Sequence, residues 1–146
     1  MEWRGYGRAH AAAAAAALVI TLAIPVLGGV ASASTRAVPK AMVGCWHRHV
    51  PALPGLSPAG VWLMRITSLG QLAAYTPGTT SCASEPDFNA IVSITGNRLT
   101  IGPVPVCATK GVYRWAATAK TLTLHATADK SCSPRTVLFN GVWKRR

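Results

Sequence analysis

Residues 91–101, IVSITGNRLTI, carry the clearest structural signal in the chain. Gly96-Asn97 suits a two-residue turn that needs positive φ at its central positions. Pairing across this turn gives two facing apolar pairs, with the polar residues on the opposite face. These pairs are Ile94–Leu99 and Val92–Ile101. Because a wrong register would mix the two faces, the pattern predicts an antiparallel hairpin with one buried face.

Two further stretches predict hairpins of the same kind. In residues 111–126, GVYRWAATAKTLTLHA, a turn at Thr118-Ala119 sets Trp115 opposite Leu122 and Tyr113 opposite Leu124. In residues 60–78, GVWLMRITSLGQLAAYTPG, the turn is expected at Leu69-Gly70. The residues predicted to share the apolar face of this hairpin are Trp62, Met64, Ile66, Ala73 and Tyr75.

A strand at about residues 42–49 precedes these hairpins, and one at about residues 136–144 follows them. Outside the N-terminal segment no stretch shows a 3.6-residue apolar period, whereas short alternating runs broken by Gly, Pro and Asn recur throughout. Eight sequential strands with one apolar face each predict an all-β, antiparallel up-and-down barrel, since closure removes exposed sheet edges. A two-sheet β-sandwich is the alternative.

The first 33 residues have the form of a signal peptide. Two arginines precede an apolar run at residues 11–30, and Ala31-Ser32-Ala33 supplies the small residues of a cleavage site. We therefore expect a secreted protein with a flexible start at residues 34–41 and one domain at residues 42–146. The alternative is a protein held at the membrane by an uncleaved segment, because the apolar run is long enough to span a bilayer.

The four cysteines all follow the predicted cleavage site, and an even number in a small exported domain indicates two disulfides. The hairpin at residues 111–126 brings its two flanks together, which places Cys132 within reach of Cys107. The favoured pairing is therefore Cys107–Cys132 with Cys45–Cys82, and the other pairings stay open.

The chain is strongly basic, with 15 Lys and Arg against 4 Asp and Glu. Such a chain is attracted to anionic cell surfaces or to an acidic protein partner. Apart from residues 144–146 the basic residues are scattered, and no nucleic-acid motif with interleaved aromatic residues is present. We do not expect nucleic acid as a partner, and we expect a monomer.

Several motifs resemble those of lipocalin-like (calycin) barrels. MVGCWHR at residues 42–48 looks like the Gly-x-Trp strand that opens such barrels. Residues 111–145 are similar to the C-terminal half of small exported actinobacterial proteins of this type. The shared positions are Gly111, Tyr113, Trp115, Leu122, Leu124, Asp129, Cys132, Arg135 and Trp143.

The resemblance implies a barrel with room for a small apolar ligand. It also implies that Trp46 closes one end of the barrel and is packed by an arginine from the last strands. Arg135 is the expected partner, with Lys144 or Arg145 as alternatives. The chain is shorter than most lipocalins and its loops differ, so the resemblance alone does not transfer a function.

No catalytic residue, metal site or cofactor is expected, and the alternative is a metal site at His47 and His49 with His125 as a third ligand. His47 and His49 alternate with an inward-facing Trp46, so both are predicted to point outward, as is His125, without a carboxylate placed to orient a metal ligand. Among the acids, Glu85 and Asp87 share a loop, and Asp129 is expected to bond to the segment that follows it. No Gly-x-Ser-x-Gly nucleophile motif occurs.

The predicted activity is therefore non-covalent binding of a small apolar or amphipathic ligand. The expected ligand-binding residues are Trp62, Met64, Tyr75, Tyr113 and Trp115. In the alternative interpretation these side chains fill the core of a small barrel. The protein would then be a scaffold, such as an inhibitor of an exported hydrolase, that makes contact through the loops at residues 50–59 and 76–89.

Overall fold

The computed structural model describes residues 37–53, 57–129 and 132–146. The predicted signal peptide and residues 34–36 of the predicted flexible start lie outside this range. The described chain forms eight strands and one short helix, α1 (Ser133–Phe139), which lies between the last two strands. The strands are β1 (Gly44–Val50), β2 (Gly60–Ile66), β3 (Gln71–Tyr75), β4 (Phe88–Thr95), β5 (Arg98–Ile101), β6 (Gly111–Ala117), β7 (Thr121–Ala128) and β8 (Gly141–Arg145).

Each strand pairs antiparallel with the next one along the chain, and β8 pairs with β1. The sheet is thus a closed eight-stranded up-and-down barrel, which confirms the predicted architecture over the sandwich. The lumen is filled by side chains, as expected for a barrel of this strand number. Its fully buried members include Trp46, Met64, Leu99, Tyr113 and Trp143.

The β4–β5 hairpin has the predicted register. Ile94 lies opposite Leu99 and Val92 opposite Ile101, and all four are buried. Gly96 has φ of 59°, the left-handed conformation that the two-residue turn requires.

The predicted register of the β2–β3 hairpin is wrong by one residue. Ile66 pairs with Leu72 and Met64 with Ala74, so the turn is longer than Leu69-Gly70 and begins at Thr67. The Thr67 hydroxyl accepts a hydrogen bond from the Gln71 amide at 3.1 Å, which stabilises the longer turn. A slip of one residue reverses the two faces of a strand. The residues predicted to face inward, Ala73 and Tyr75, therefore lie on the outside of the barrel.

The β6–β7 hairpin is displaced from the prediction by two residues, with Trp115 opposite Leu124 and Tyr113 opposite Ala126. Its two-residue turn lies one residue further along, at Ala119-Lys120, and the Thr118 amide donates to the Thr121 carbonyl at 2.8 Å. The Thr118 hydroxyl stabilises this turn by accepting hydrogen bonds from the Lys120 and Thr121 amides, at 3.2 and 3.0 Å. Since side chains alternate with a period of two, this displacement leaves every residue on its predicted face.

The predicted strand at residues 136–144 is wrong in its first half. Residues 133–139 form α1, and only Gly141–Arg145 form β8. Pro134 in the first helical turn fits helix initiation, because that position needs no backbone N–H donor. Leu138 and Phe139 point from α1 into the core.

The two ends of the barrel differ. At the turn end, β1 begins, β8 ends, and tight turns join β2–β3, β4–β5 and β6–β7. At the helix end lie α1 and the longer connections between the other strands. Of the predicted flexible start, Val38 is 8% exposed and packs against the core at the turn end. Within the described ranges, no helix has the length and apolar composition needed to cross a bilayer.

Both favoured disulfide pairings are present in the structure. Cys45–Cys82 ties β1 to the loop after β3, and Cys107–Cys132 ties the β5–β6 loop to the start of α1. The Cα–Cα distances are 6.0 and 5.9 Å, within the usual range for disulfides.

Candidate ligand pocket at the helix end

The predicted ligand-binding residues do not form one cluster. Met64 and Tyr113 are fully buried in the lumen. Trp115 lies near the turn end, where its indole donates to the Gly96 carbonyl at 3.2 Å. Tyr75 packs outside the barrel with Leu63, and its hydroxyl donates to the Cys82 carbonyl at 2.7 Å. Trp62, by contrast, borders a cavity.

That cavity is a pocket of about 250 Å³ between α1 and the strand connections of the helix end. Its apolar lining comes from five separate parts of the chain. The main lining side chains are Leu53, Trp62, Phe88, Val104, Leu138 and Phe139. Two larger surface depressions of about 450 and 350 Å³ have no aromatic side chain in their walls. The aromatic lining of the helix-end pocket is typical of small-molecule sites and distinguishes it from these two depressions.

Trp62, which lines this pocket, carries an unpaired polar atom. Its side chain is 4% exposed, and its Nε1 is buried without a hydrogen-bond partner among the residues that the structure describes. The indoles of Trp46 and Trp143, by contrast, donate to the carbonyls of Met42 and Phe139 at 2.9 and 3.1 Å. A buried donor without a partner costs about 1–3 kcal/mol, so a ligand that supplies an acceptor as the lining adjusts would recover that free energy.

Helix α1, which forms one wall of the pocket, is fixed at its C-terminal end by an arginine. Arg48 Nη1 donates to the carbonyls of Val137 and Leu138 at 3.1 and 2.8 Å. Burial lowers the pKa of the Arg48 guanidinium. Cations favour this end of a helix because its last carbonyl groups lack partners within the helix.

A buried charge cluster fixes the other end of α1. The Arg135 guanidinium contacts the Asp129 carboxylate, with Nε 2.9 Å from Oδ2 and Nη2 2.5 Å from Oδ1. Asp129 also accepts a hydrogen bond from the Tyr113 hydroxyl, and Arg135 Nη1 donates to the Thr109 carbonyl. The hydrogen bond from Arg135 to Asp129 raises the pKa of Arg135. Asp129 thus has the predicted role of binding the segment that follows it.

Gly111 allows this cluster to form next to β6. A Cβ built on Gly111 would lie 2.6 Å from Asp129 Oδ2 and 2.8 Å from Arg135 Nε. Both atoms are held by hydrogen bonds, so neither can move away at low cost. Any larger residue at this position would therefore displace the ion pair that anchors α1.

Because the Tyr113 hydroxyl is buried, we expect the protein to lose stability at alkaline pH. Burial raises its pKa far above the ordinary value of 10.0, and the hydrogen bond to Asp129 adds to the rise. Tyr113 then stays protonated in the folded protein while the unfolded chain ionises. Its contribution to stability is complete below about pH 10 and decreases as the pH rises toward the folded-state pKa. Between pH 10 and 11.5 we expect a loss of up to about 2 kcal/mol.

This loss can be measured as the change in urea-unfolding free energy over that pH range. A Tyr113→Phe variant removes the ionising group, so its stability should change less with pH, whatever its stability at neutral pH. An equal pH dependence in the variant and the parent would show that Tyr113 is not the group responsible.

Trp46 lies toward one barrel end, as predicted, but the prediction of Arg135 as its partner is wrong. Arg145, one of the alternatives, lies over the Trp46 ring at 4.2 Å from its centre. Arg145 stands directly opposite Trp46 in the β1–β8 ladder, whereas Arg135 is at the helix end. Its Nη1 also donates to the Val43 carbonyl at 2.9 Å. Gly44, at φ of 143°, leaves room for this guanidinium, which a Cβ would overlap.

The histidines do not come together. His47 and His49 lie on the outer face of β1, and His125 lies on the outer face of β7, opposite Arg114. Over residues 37–53, 57–129 and 132–146, no three His, Cys, Asp or Glu side chains are grouped closely enough to hold a metal ion.

The pocket residues contributed by α1 were not predicted, because the segment was interpreted as a strand. The sequence signal that pointed to them was Pro134 two residues after a disulfide cysteine, which fits the first turn of a helix. Val104 was not predicted. It belongs to the connection between β5 and β6, whose prolines and valines do not show the pattern of a helix or a strand.

Comparisons of the chain with family models, with curated proteins and with solved structures found no match. The class that the structure itself defines is a small, closed, eight-stranded up-and-down β-barrel with two disulfides and a helix at one end. The resemblance to lipocalin-like barrels stays a prediction.

Proposed function

We propose that this protein is exported and binds a small apolar or amphipathic ligand, without covalent chemistry, in the helix-end pocket. The observation that carries the proposal is the aromatic-lined cavity beside the unpaired Trp62 indole. Apolar burial supplies the affinity in such a site, and a few polar groups fix the orientation of the ligand. The ligand therefore combines a compact apolar body with a hydrogen-bond acceptor.

The volume of the pocket limits the size of this ligand. An apolar cavity of about 150 Å³ is enough to hold benzene. At about 250 Å³ the pocket accommodates one or two fused rings or a short branched chain. A long acyl chain would have to extend past the rim, where Thr76 and Asp87 are joined by hydrogen bonds.

Export is supported by the leader-like N-terminal sequence and by the two disulfides. Disulfides persist in oxidising compartments and are rare in reducing ones. Both join segments distant in sequence, at separations of 37 and 25 residues, and so stabilise a domain of modest core size.

Binding can be followed through the indole N–H signals of ¹⁵N-labelled protein during titration with 1-indanone, a compact ketone. We expect a saturable shift of the Trp62 signal, because this indole gains an acceptor. The Trp143 signal should stay in place, since its N–H already donates to Phe139. The hydrocarbon indane, which has no acceptor, should bind about tenfold more weakly, corresponding to one hydrogen bond of about 1.4 kcal/mol.

Two matched variants place the binding site. Val106 lines the pocket and Val142 lies on the outer face of β8, and they are 50% and 51% exposed. Val106→Trp should block the pocket and weaken 1-indanone binding at least about tenfold, while Val142→Trp should leave it unchanged. Absence of a saturable shift in folded protein, or an equal effect of both variants, would refute a ligand site in this pocket.

A further inference from the structure

We propose that the turn end of the barrel docks on the surface of a bilayer that contains anionic lipid. The proposal does not depend on ligand binding at the helix end. It rests on the distribution of charge between the two ends, on one exposed leucine, and on the place where the described chain begins.

Basic residues gather at the turn end. They lie in its turns, at the strand positions closest to this end, or in the chain just before β1 and just after β8. They are Lys40, Arg65, Arg98, Lys120, Lys144, Arg145 and Arg146. The acidic residues of the described chain are all at the helix end: Glu85 and Asp87 in the β3–β4 loop, and Asp129 after β7. The barrel is therefore electrically polarised along its axis.

The turn-end charges are not neutralised within the protein. Over the described ranges the single ion pair is that between Arg135 and Asp129, at the helix end. Arg98 stands directly opposite another basic residue, Arg114, on the neighbouring strand. Like charges in facing positions destabilise a sheet. This arrangement lowers the stability of the isolated barrel and favours an anionic partner.

Leu69 provides an apolar contact at the same end. It lies at the tip of the β2–β3 turn and is 83% exposed, more than any other large apolar side chain of the described chain. An exposed apolar residue at the barrel end that carries the cations fits the boundary between lipid headgroups and acyl chains. A soluble polyanion would use the charges but would gain nothing from the leucine.

The described chain also begins at the turn end. Ala37 and Val38 line one surface depression together with Ser68, Leu69 and Gly70. In the sequence they follow the apolar run of residues 11–30, which is directed to a membrane whether or not it is cleaved afterwards. The residues that follow this segment in the sequence thus lie at the barrel end that carries the cations and Leu69.

Docking in this orientation leaves the helix end facing water. The acidic residues are then farthest from the anionic lipid, and the mouth of the helix-end pocket stays accessible. Each basic residue close to an anionic bilayer strengthens binding about fivefold. The effect falls off within the Debye length, about 8–10 Å at physiological salt, so only charges at the turn end contribute fully.

The test is sedimentation with phosphatidylcholine vesicles prepared with and without phosphatidylglycerol. The chain of residues 34–146 is used, because every described element and both disulfides lie within it. We expect binding to the vesicles with phosphatidylglycerol only. Lys40→Gln/Lys120→Gln, which removes two exposed turn-end charges, should weaken this binding about 25-fold.

The matched control is Lys110→Gln, which removes one exposed charge from the helix end and is compared with Lys120→Gln, which removes one from the turn end. Lys110→Gln should change binding by less than about twofold, and Lys120→Gln should weaken it about fivefold. Leu69→Ser should weaken vesicle binding but leave binding to soluble polyphosphate unchanged. Equal losses in Lys110→Gln and Lys120→Gln, no dependence on Leu69, or no binding by the parent protein would each overturn the proposal.

Discussion

Replacing Asp129 with asparagine is expected to lower the free energy of unfolding by about 3–5 kcal/mol. The side chains of Asp129 and Arg135 are both fully buried. Asparagine keeps the shape of the side chain but leaves the guanidinium charged and uncompensated in the interior. The loss should be measurable as a shift of the urea midpoint at neutral pH.

Two comparison variants serve as controls for this loss of stability. Glu85→Gln removes an exposed carboxylate and should change stability by less than about 0.5 kcal/mol. In Asp129→Leu/Arg135→Met both charges are replaced by apolar groups of similar size, which should restore much of the stability lost in Asp129→Asn. A loss below about 1 kcal/mol in Asp129→Asn would mean that the pair behaves as an exposed one.

Removing the Cys107–Cys132 disulfide by a double serine substitution should cost about 3–4 kcal/mol of stability. The value follows from the entropy of closing a loop whose ends are 25 residues apart. This bond also joins two walls of the pocket, because the β5–β6 loop and α1 both contribute lining residues. We therefore expect the affinity for 1-indanone to fall about tenfold in the same variant.

Removal of the other disulfide, Cys45–Cys82, is the matched control. Its ends are 37 residues apart, so the expected loss of stability is of the same size. Cys82 belongs to the outer cluster around Tyr75 and does not border the pocket. In folded protein of this variant, the affinity for 1-indanone should therefore be unchanged. If both variants lose affinity equally, the pocket is not specifically supported by Cys107–Cys132.

The sequence predicted those parts of the barrel that depend on local pattern. The β4–β5 register followed from Gly96-Asn97 because the turn has only two residues and admits one geometry. In the β2–β3 turn the Thr67 side chain accepts a hydrogen bond from the Gln71 amide, which no pattern of apolar residues reveals. One additional turn residue was enough to move Tyr75 from the expected lumen to the outer surface.

The candidate site was harder to predict than the barrel. Helix α1 has seven residues, too few to show a 3.6-residue period, and it contains Thr136 and Val137, which favour strands. The pocket is assembled from α1 and connections whose positions depend on tertiary contacts. The partner of Trp46 was decided by the β1–β8 register, which joins the two ends of the domain and has no local signal.

That same β1–β8 seam determines when the fold can be completed. Every other strand pair is formed by neighbours along the chain, so hairpins can assemble while synthesis from the N-terminus is still in progress. β1 lacks its second neighbour until Gly141–Arg145 have been synthesised, because no earlier strand can replace β8. Until then the strands already made can form at most an open, seven-stranded ribbon with two unpaired edges. The interval in which these edges need protection from aggregation ends when the last strand arrives.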